Sequence, residues 1–246
     1  MKYLMTFSYD GSKYKGYQKQ PKQDTIQGKI EEVLKKINSN KKVSITATGR
    51  TDASVHAINQ KAHFELNNKF DCEKLRYSVN SLLPDDIYVK KIEIVPESFH
   101  ARFDVKSKEY IYKINVGEYN PIEKDYVLQY NKKLDLIEIE RALKYIEGEH
   151  NFRAFTKVDD EKDDYVRTIF SAKLIKDTKE MDHIVISLVG SGFLRYMVRN
   201  IVGTLLEIGE GKKKSEDIIK ILSSCDRRKA GICASPVGLY LKDINY

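Results

Sequence analysis

Residues 43–66 read VSITATGRTDASVHAINQKAHFEL. Val43, Ile45 and Ala47 alternate with polar residues, and Ala62, Phe64 and Leu66 alternate again, so two half-buried strands flank a polar loop that opens at Gly49. Upstream, Ile26, Ile30, Val33, Leu34 and Ile37 form the apolar stripe of a helix, with Asp24 as its expected cap and Gln27 three residues on. Before that helix, Tyr3, Met5, Phe7 and Tyr9 repeat with period two, a strand over Lys2 to Tyr9. Downstream, Asp71 can cap a helix carrying Leu75, Val79, Leu82 and Leu83 that Pro84 ends, and Ile87 to Val95 reads as a strand. The order is β-α-β-β-α-β, the split βαβ or ferredoxin-like unit.

The second half repeats this order more loosely. A strand over Lys108 to Val116 precedes a helix opened by Asp135, with Leu136, Ile139, Leu143 and Ile146 on its apolar face. Tyr165 to Ile175 and His183 to Val189 form a strand pair, followed by an apolar helix from Gly192, a shorter one from Ser215 and a closing strand Val237 to Ile244. The expected fold class is therefore α+β, with two ferredoxin-like halves forming one continuous, mostly antiparallel sheet with helices on one face. The boundary falls near Pro96 to Asp104, giving an N-terminal domain 1–100 and a C-terminal domain 101–246.

With 246 residues, 41% apolar and 32% charged, the chain has the composition of a soluble globular protein. Met1 to Asp10 lacks the apolar core of a signal peptide, and the most apolar stretch, Gly192 to Ile208, is interrupted by Arg195, Arg199, Asn200 and Glu207. No membrane association and a cytoplasmic location are expected. The net charge of +7 suits a polyanionic partner, although lysine runs such as Lys212-Lys213-Lys214 also fit a solvated surface. Three cysteines with no C-x-x-C spacing support neither a disulfide framework nor a cysteine zinc site, and the five histidines form no metal motif, so no metal is expected.

Three features could carry chemistry. The loop Thr48 to His56 holds one carboxylate, Asp52, one guanidinium, Arg50, and one imidazole, on a connection between rigid strands; from spacing alone, an Asp that merely bonds its own turn, with Arg50 solvated, is the commoner arrangement. In the helix expected from Gly192, apolar residues surround nearly the whole circumference, yet Arg195 and Arg199 stand four apart on one face. A buried guanidinium requires a carboxylate or phosphate, unless that face reaches solvent or a subunit boundary. Tyr110 and Tyr112 share one strand face, as core residues do and as a base-stacking platform would.

These segments together resemble the TruA family of tRNA pseudouridine synthases, nearly end to end. The likeness is carried by Gly16-Tyr17-Gln18, Thr25-Ile26-Gln27 and above all Gly49-Arg50-Thr51-Asp52-Ala53-Ser54-Val55-His56-Ala57. Leu83-Pro84-Asp85-Asp86-Ile87, Phe99-His100-Ala101-Arg102-Phe103-Asp104, Tyr110-Ile111-Tyr112, Phe193 to Asn200 and Ala234 to Leu239 extend it. The resemblance implies that Asp52 is the catalytic nucleophile, that Tyr110 stacks on the target base, that Arg199 pairs with Asp52 and that Arg50 contacts the RNA near the extruded uridine. It also implies a homodimer binding tRNA in a basic cleft, no cofactor, and action on the anticodon stem-loop at uridines 38, 39 and 40. Two departures stand out: Ser54 where the family has Gly, and Asn59-Gln60 where it has Gly-Gln. The alternatives are a pseudouridine synthase acting elsewhere in RNA, a noncatalytic tRNA-binding module, and a metal-dependent nuclease, the last disfavoured because Asp52 has no neighbouring carboxylates for Mg²⁺.

Overall fold

The computed structural model describes residues 1–157, 164–176 and 182–246, which group into two compact units, Met1–Lys106 with Tyr240–Tyr246, and Ser107–Leu239. The first contains β1 (Lys2–Tyr9), α1 (Ile26–Ile37), β2 (Ile45–Ala47), β3 (His56–Glu65), α2 (Cys72–Asn80) and β4 (Ile87–Ile94). Its strands lie in the order β4-β1-β3, with β2 also on β3 and all these pairs antiparallel, which is the split βαβ arrangement expected. The alternation in β1 has the predicted result, because Tyr3, Met5 and Phe7 are fully buried and Tyr3 stacks on Phe64 of β3 at 5.6 Å.

Helix α1 starts one residue later than its expected cap implies. Thr25, with extended backbone, accepts from the Gly28 amide at 3.3 Å, while Asp24 binds Lys29 Nζ at 2.6 Å. Position decides this, since a cap must directly precede the first helical residue. The turn at Gly16 and Tyr17 completes the cap, its carbonyls accepting from the amides of Ile26 and Gln27. Asp71 caps α2 as expected, accepting from Lys74 N at 2.9 Å.

The second unit contains β5 (Ser107–Asn115), β6 (Leu128–Gln129), α3 (Leu136–Lys144), β7 (Gly148–Asn151), β8 (Val166–Lys176), β9 (His183–Gly190), α4 (Met197–Gly209) and α5 (Asp217–Ser224). Strands β5-β9-β8-β7 pair antiparallel, and β6 lies parallel on β5. Asp135 caps α3 by accepting from the amides of Ile137 and Glu138. The closing strand β10 (Leu239–Asn245) runs parallel to β3, with Tyr240 opposite His56 and Leu241 opposite Ala57, so its residues from Tyr240 onward belong with the first unit.

Helix α4 departs from expectation at its start, which is Met197 and not Gly192. Gly190 ends β9 where an added Cβ would lie 2.8 Å from Thr168 O, and the chain then turns through residues 191–196, with Tyr196 left-handed at φ +63°. Phe193 and Leu194 are apolar because they pack, not because they are helical: Phe193 meets Tyr110 edge-on at 5.0 Å and Leu194 is buried. From Met197 on, the helix is nearly all buried, as its all-round apolar character requires. Residues 231–234 lie tight against it, so close that a Cβ on Gly203 would fall 1.7 Å from Ile232 O. Among the described residues no helix is long and apolar enough to cross a membrane.

Candidate active site

The loop from Thr48 to His56 is tethered residue by residue. Thr48 N donates to Lys61 O at 3.0 Å, closing the strand pair at the mouth of the loop. Gln60, fully buried, donates through Nε2 to Gly49 O at 3.0 Å and accepts from Lys61 N at 3.1 Å. The Tyr9 hydroxyl meets Thr51 Oγ1 at 2.8 Å, and Tyr17 N donates to Thr51 O at 3.0 Å. Val55 N then donates to Asp52 O at 3.2 Å, closing a tight turn over Ala53 and Ser54. His56 stacks on Tyr240 at 4.7 Å and accepts from Gly11 N at 3.2 Å. Two glycines permit this closeness: a Cβ on Gly11 would lie 2.0 Å from Val55 O, and one on Gly16, at φ +98°, would lie 3.0 Å from Thr51 O.

Burial pushes the Tyr9 hydroxyl up to about 12, against the smaller opposing effect of its hydrogen bonds with Thr51 and Gln60, so it stays protonated at any working pH. Tyr17 is raised by burial as well; its hydroxyl is enclosed and, among the described residues, has no hydrogen-bond partner. Out of this apolar and aromatic bed emerges one half-buried carboxylate, Asp52, with Arg50 exposed beside it on the same loop. A carboxylate held by its backbone neighbours on both sides is preorganised for nucleophilic or general-base work.

Ser54 occupies a left-handed backbone at φ +63°. The position therefore has the conformation that favours glycine, and here a side chain bears the cost. Asn59 faces outward and accepts from Lys90 Nζ at 2.9 Å.

Tyr110 and Arg199 both belong to the second unit. Tyr110 lies in β5 opposite Leu188, its ring nearly buried and edge-on to Phe193. Its neighbour on the same face, Tyr112, is a core residue: it is fully enclosed, and its hydroxyl donates to Ser235 O at 2.6 Å. Arg199, half-buried in the first turn of α4, donates through Nε to Ala234 O at 2.7 Å and lies 5.3 Å from the Tyr196 ring centroid. Arg195 does not share its helix face, because it precedes the helix; it is exposed, over the Tyr196 ring at 4.9 Å and bonded to the Tyr196 hydroxyl. Among the described residues no three His, Cys, Asp or Glu side chains gather as metal ligands.

Sequence reasoning missed Tyr9 and Gln60 as supports of the Asp52 loop, and Phe193 as the ring packed against Tyr110. Gln60 carries a legible signal, since it stands in phase with Ala62 and Phe64 on the inward side of β3, and a buried amide must find partners. Phe193 carries none, because its apolar character also fits a helix.

A sequence profile of the tRNA pseudouridine synthase family matches residues 5–104 and 142–246. Among curated proteins, the tRNA pseudouridine synthase A of Anoxybacillus flavithermus is 42% identical over 241 residues, covering 98% of this chain and 97% of the relative. That of an Exiguobacterium species is 43% identical over 240 residues, covering 97% and 95%, and that of Streptococcus mutans is 41% identical over 247 residues, covering 100% and 99%. With the match running through the Asp52 loop and along the whole chain, this protein belongs to the tRNA pseudouridine synthase family, as a TruA-type isomerase acting on RNA.

Proposed function

We propose that the protein converts uridine to pseudouridine in the anticodon stem-loop of tRNA, at positions 38, 39 and 40, with Asp52 as nucleophile or base and without a cofactor. The observation that carries the reading is the tethered loop, which presents a single carboxylate, in a chain of this family. The reaction breaks the bond from uracil N1 to ribose C1′ and forms one from C5 to C1′; the C5 hydrogen leaves to water and N1 gains a proton. Atoms and electrons balance within the substrate, so neither oxidant nor group donor enters.

The target base is inaccessible within a stacked stem, so it must be flipped out at a cost of a few kcal/mol. By likeness to the family, Tyr110 stacks on the extruded base, which recovers about 1–3 kcal/mol. Arg50, exposed beside the loop, contacts the RNA backbone near the vacated position. The same likeness makes Arg199 the counter-ion expected for Asp52. The protein works as a homodimer in the cytoplasm, and its net charge of +7 favours tRNA through phosphate contacts.

The test is release of tritium from tRNA labelled at uridine C5, using transcripts in which uridines 38, 39 and 40 are replaced singly and together by cytidine. Release that disappears only when all three are replaced is expected. Undiminished release from the triple replacement would place the activity elsewhere in RNA.

A further inference from the structure

The loop from Pro96 to Asp104 carries a structure that the reaction at Asp52 does not use. Its backbone is fixed: Phe99 N donates to Pro96 O, Phe103 N and Asp104 N both donate to His100 O, and His100 N donates to the Asp104 carboxylate at 2.8 Å. Ala101 is fully buried and its amide donates to Nδ1 of His63 in β3 at 3.0 Å. On this rigid base Phe103 is 74% exposed. Its ring stacks on His100, with centroids 4.3 Å apart and planes at 25°, and the Arg102 guanidinium lies over the ring, 5.9 Å from its centroid.

The platform is joined to the catalytic loop. The Tyr246 hydroxyl donates to Ala101 O at 3.0 Å and also meets Thr48 Oγ1 at 2.5 Å, so a single side chain connects the Phe103 loop to the residue preceding Gly49. Tyr246 is itself braced by Phe99, edge-on at 4.9 Å, and by Lys61 over its ring at 5.4 Å.

Resting on the reading that RNA is the substrate, we propose that Phe103, backed by His100, is a stacking platform for an unpaired nucleobase of the substrate RNA other than the target uridine, with exposed Arg102 and Lys106 facing its phosphates. A largely exposed ring backed by a second ring, with exposed cations nearby in the same segment, matches the two surfaces that a single-stranded nucleotide offers, a π face and an anion. Base stacking on such a ring is sequence-tolerant, so Phe103 contributes to holding the RNA and not to choosing the reacting uridine.

The experiment compares wild type, Phe103→Ala and Phe103→Trp, measuring tRNA Kd by filter binding, and KM and kcat by tritium release from the C5-labelled transcript. Phe103→Ala is expected to raise Kd and KM together by about five- to hundredfold while kcat stays within about twofold, and Phe103→Trp to restore both. The melting temperature of Phe103→Ala should match wild type, because the ring is exposed. Unchanged Kd in Phe103→Ala overturns the proposal. So does a loss of affinity that tracks dissociation of a dimer in sedimentation velocity, since the ring would then face a second copy of the chain. If wild type binds tRNA but releases no tritium, the catalytic reading fails while the Kd comparison still decides the role of Phe103.

Discussion

Tyr9→Phe deletes one hydroxyl from the bed beneath Asp52 and leaves the ring volume intact. That hydroxyl, in a residue only 4% exposed, is bonded to Thr51 Oγ1 at 2.8 Å and to Gln60. A neutral buried hydrogen bond contributes about 1 kcal/mol net, and stranding a buried partner costs about 1–3 kcal/mol. Gln60 keeps its bonds to Gly49 O and Lys61 N, so the stranded group is chiefly Thr51 Oγ1. Tyr9→Phe should therefore lose about 1–3 kcal/mol, and Thr51→Val less, about 1 kcal/mol, because the tyrosine hydroxyl keeps Gln60 as a partner. The double mutant strands neither, so its loss should fall short of the sum by about 1 kcal/mol. Urea unfolding of the four proteins measures this coupling, and tritium release adds a second readout. Because Thr51 precedes Asp52, loosening the loop should lower kcat roughly ten- to hundredfold with a smaller change in KM. Losses that add within about 0.5 kcal/mol, or an unchanged kcat in Tyr9→Phe, would refute the claim that this hydrogen bond sets the loop.

Ser54→Gly should stabilise the protein by roughly 0.5–1 kcal/mol, the left-handed strain relieved less the entropy that glycine adds to the unfolded chain; equal or lower stability in urea would contradict the strain at φ +63°. Burial, with the neighbouring His100 and Lys2, lowers the His63 pKa, and its Nδ1 must be unprotonated to accept from Ala101 N. The folded value lies below the unfolded one, so stability is full above about pH 6.5 and declines as pH falls from there through the lowered value. His63→Asn should flatten that decline between pH 7.5 and 5, and an unaltered slope would exclude His63 as its source. Tyr110→Phe should bind tRNA normally and Tyr110→Ala should lose affinity and turnover; full activity in Tyr110→Ala would make the ring core packing only.

The fold was most legible where periodicity and position agree. Strand β1 follows from Tyr3, Met5, Phe7 and Tyr9, and the caps of α2 and α3 from Asp71 and Asp135, each of which stands directly before the first helical residue. The start of α4 was illegible, since Phe193 and Leu194 extend the helical pattern into a turn whose path is set by tertiary packing at Gly190 and by a left-handed Tyr196. Strands β6 and β7, of two and four residues, are too short to show a period. At the site, the Asp52 loop could be recognised from its residues, but not its supports: Tyr9 reads as one more inward aromatic, and its bond to Thr51 joins residues 42 apart in sequence. The Ser54 departure posed a question about backbone conformation that only φ could answer.

On the proposed mechanism, Asp52 performs the chemistry on a base that the rest of the protein holds. The deciding measurement is tritium release from C5-labelled tRNA by wild type and Asp52→Ala, with Kd measured on the same preparations. Wild type should release tritium in step with pseudouridine formed, and Asp52→Ala should release none while its Kd stays within about tenfold of wild type, since many phosphate contacts and not one carboxylate supply binding. Sustained turnover by Asp52→Ala, or no release by wild type, would contradict this role for Asp52.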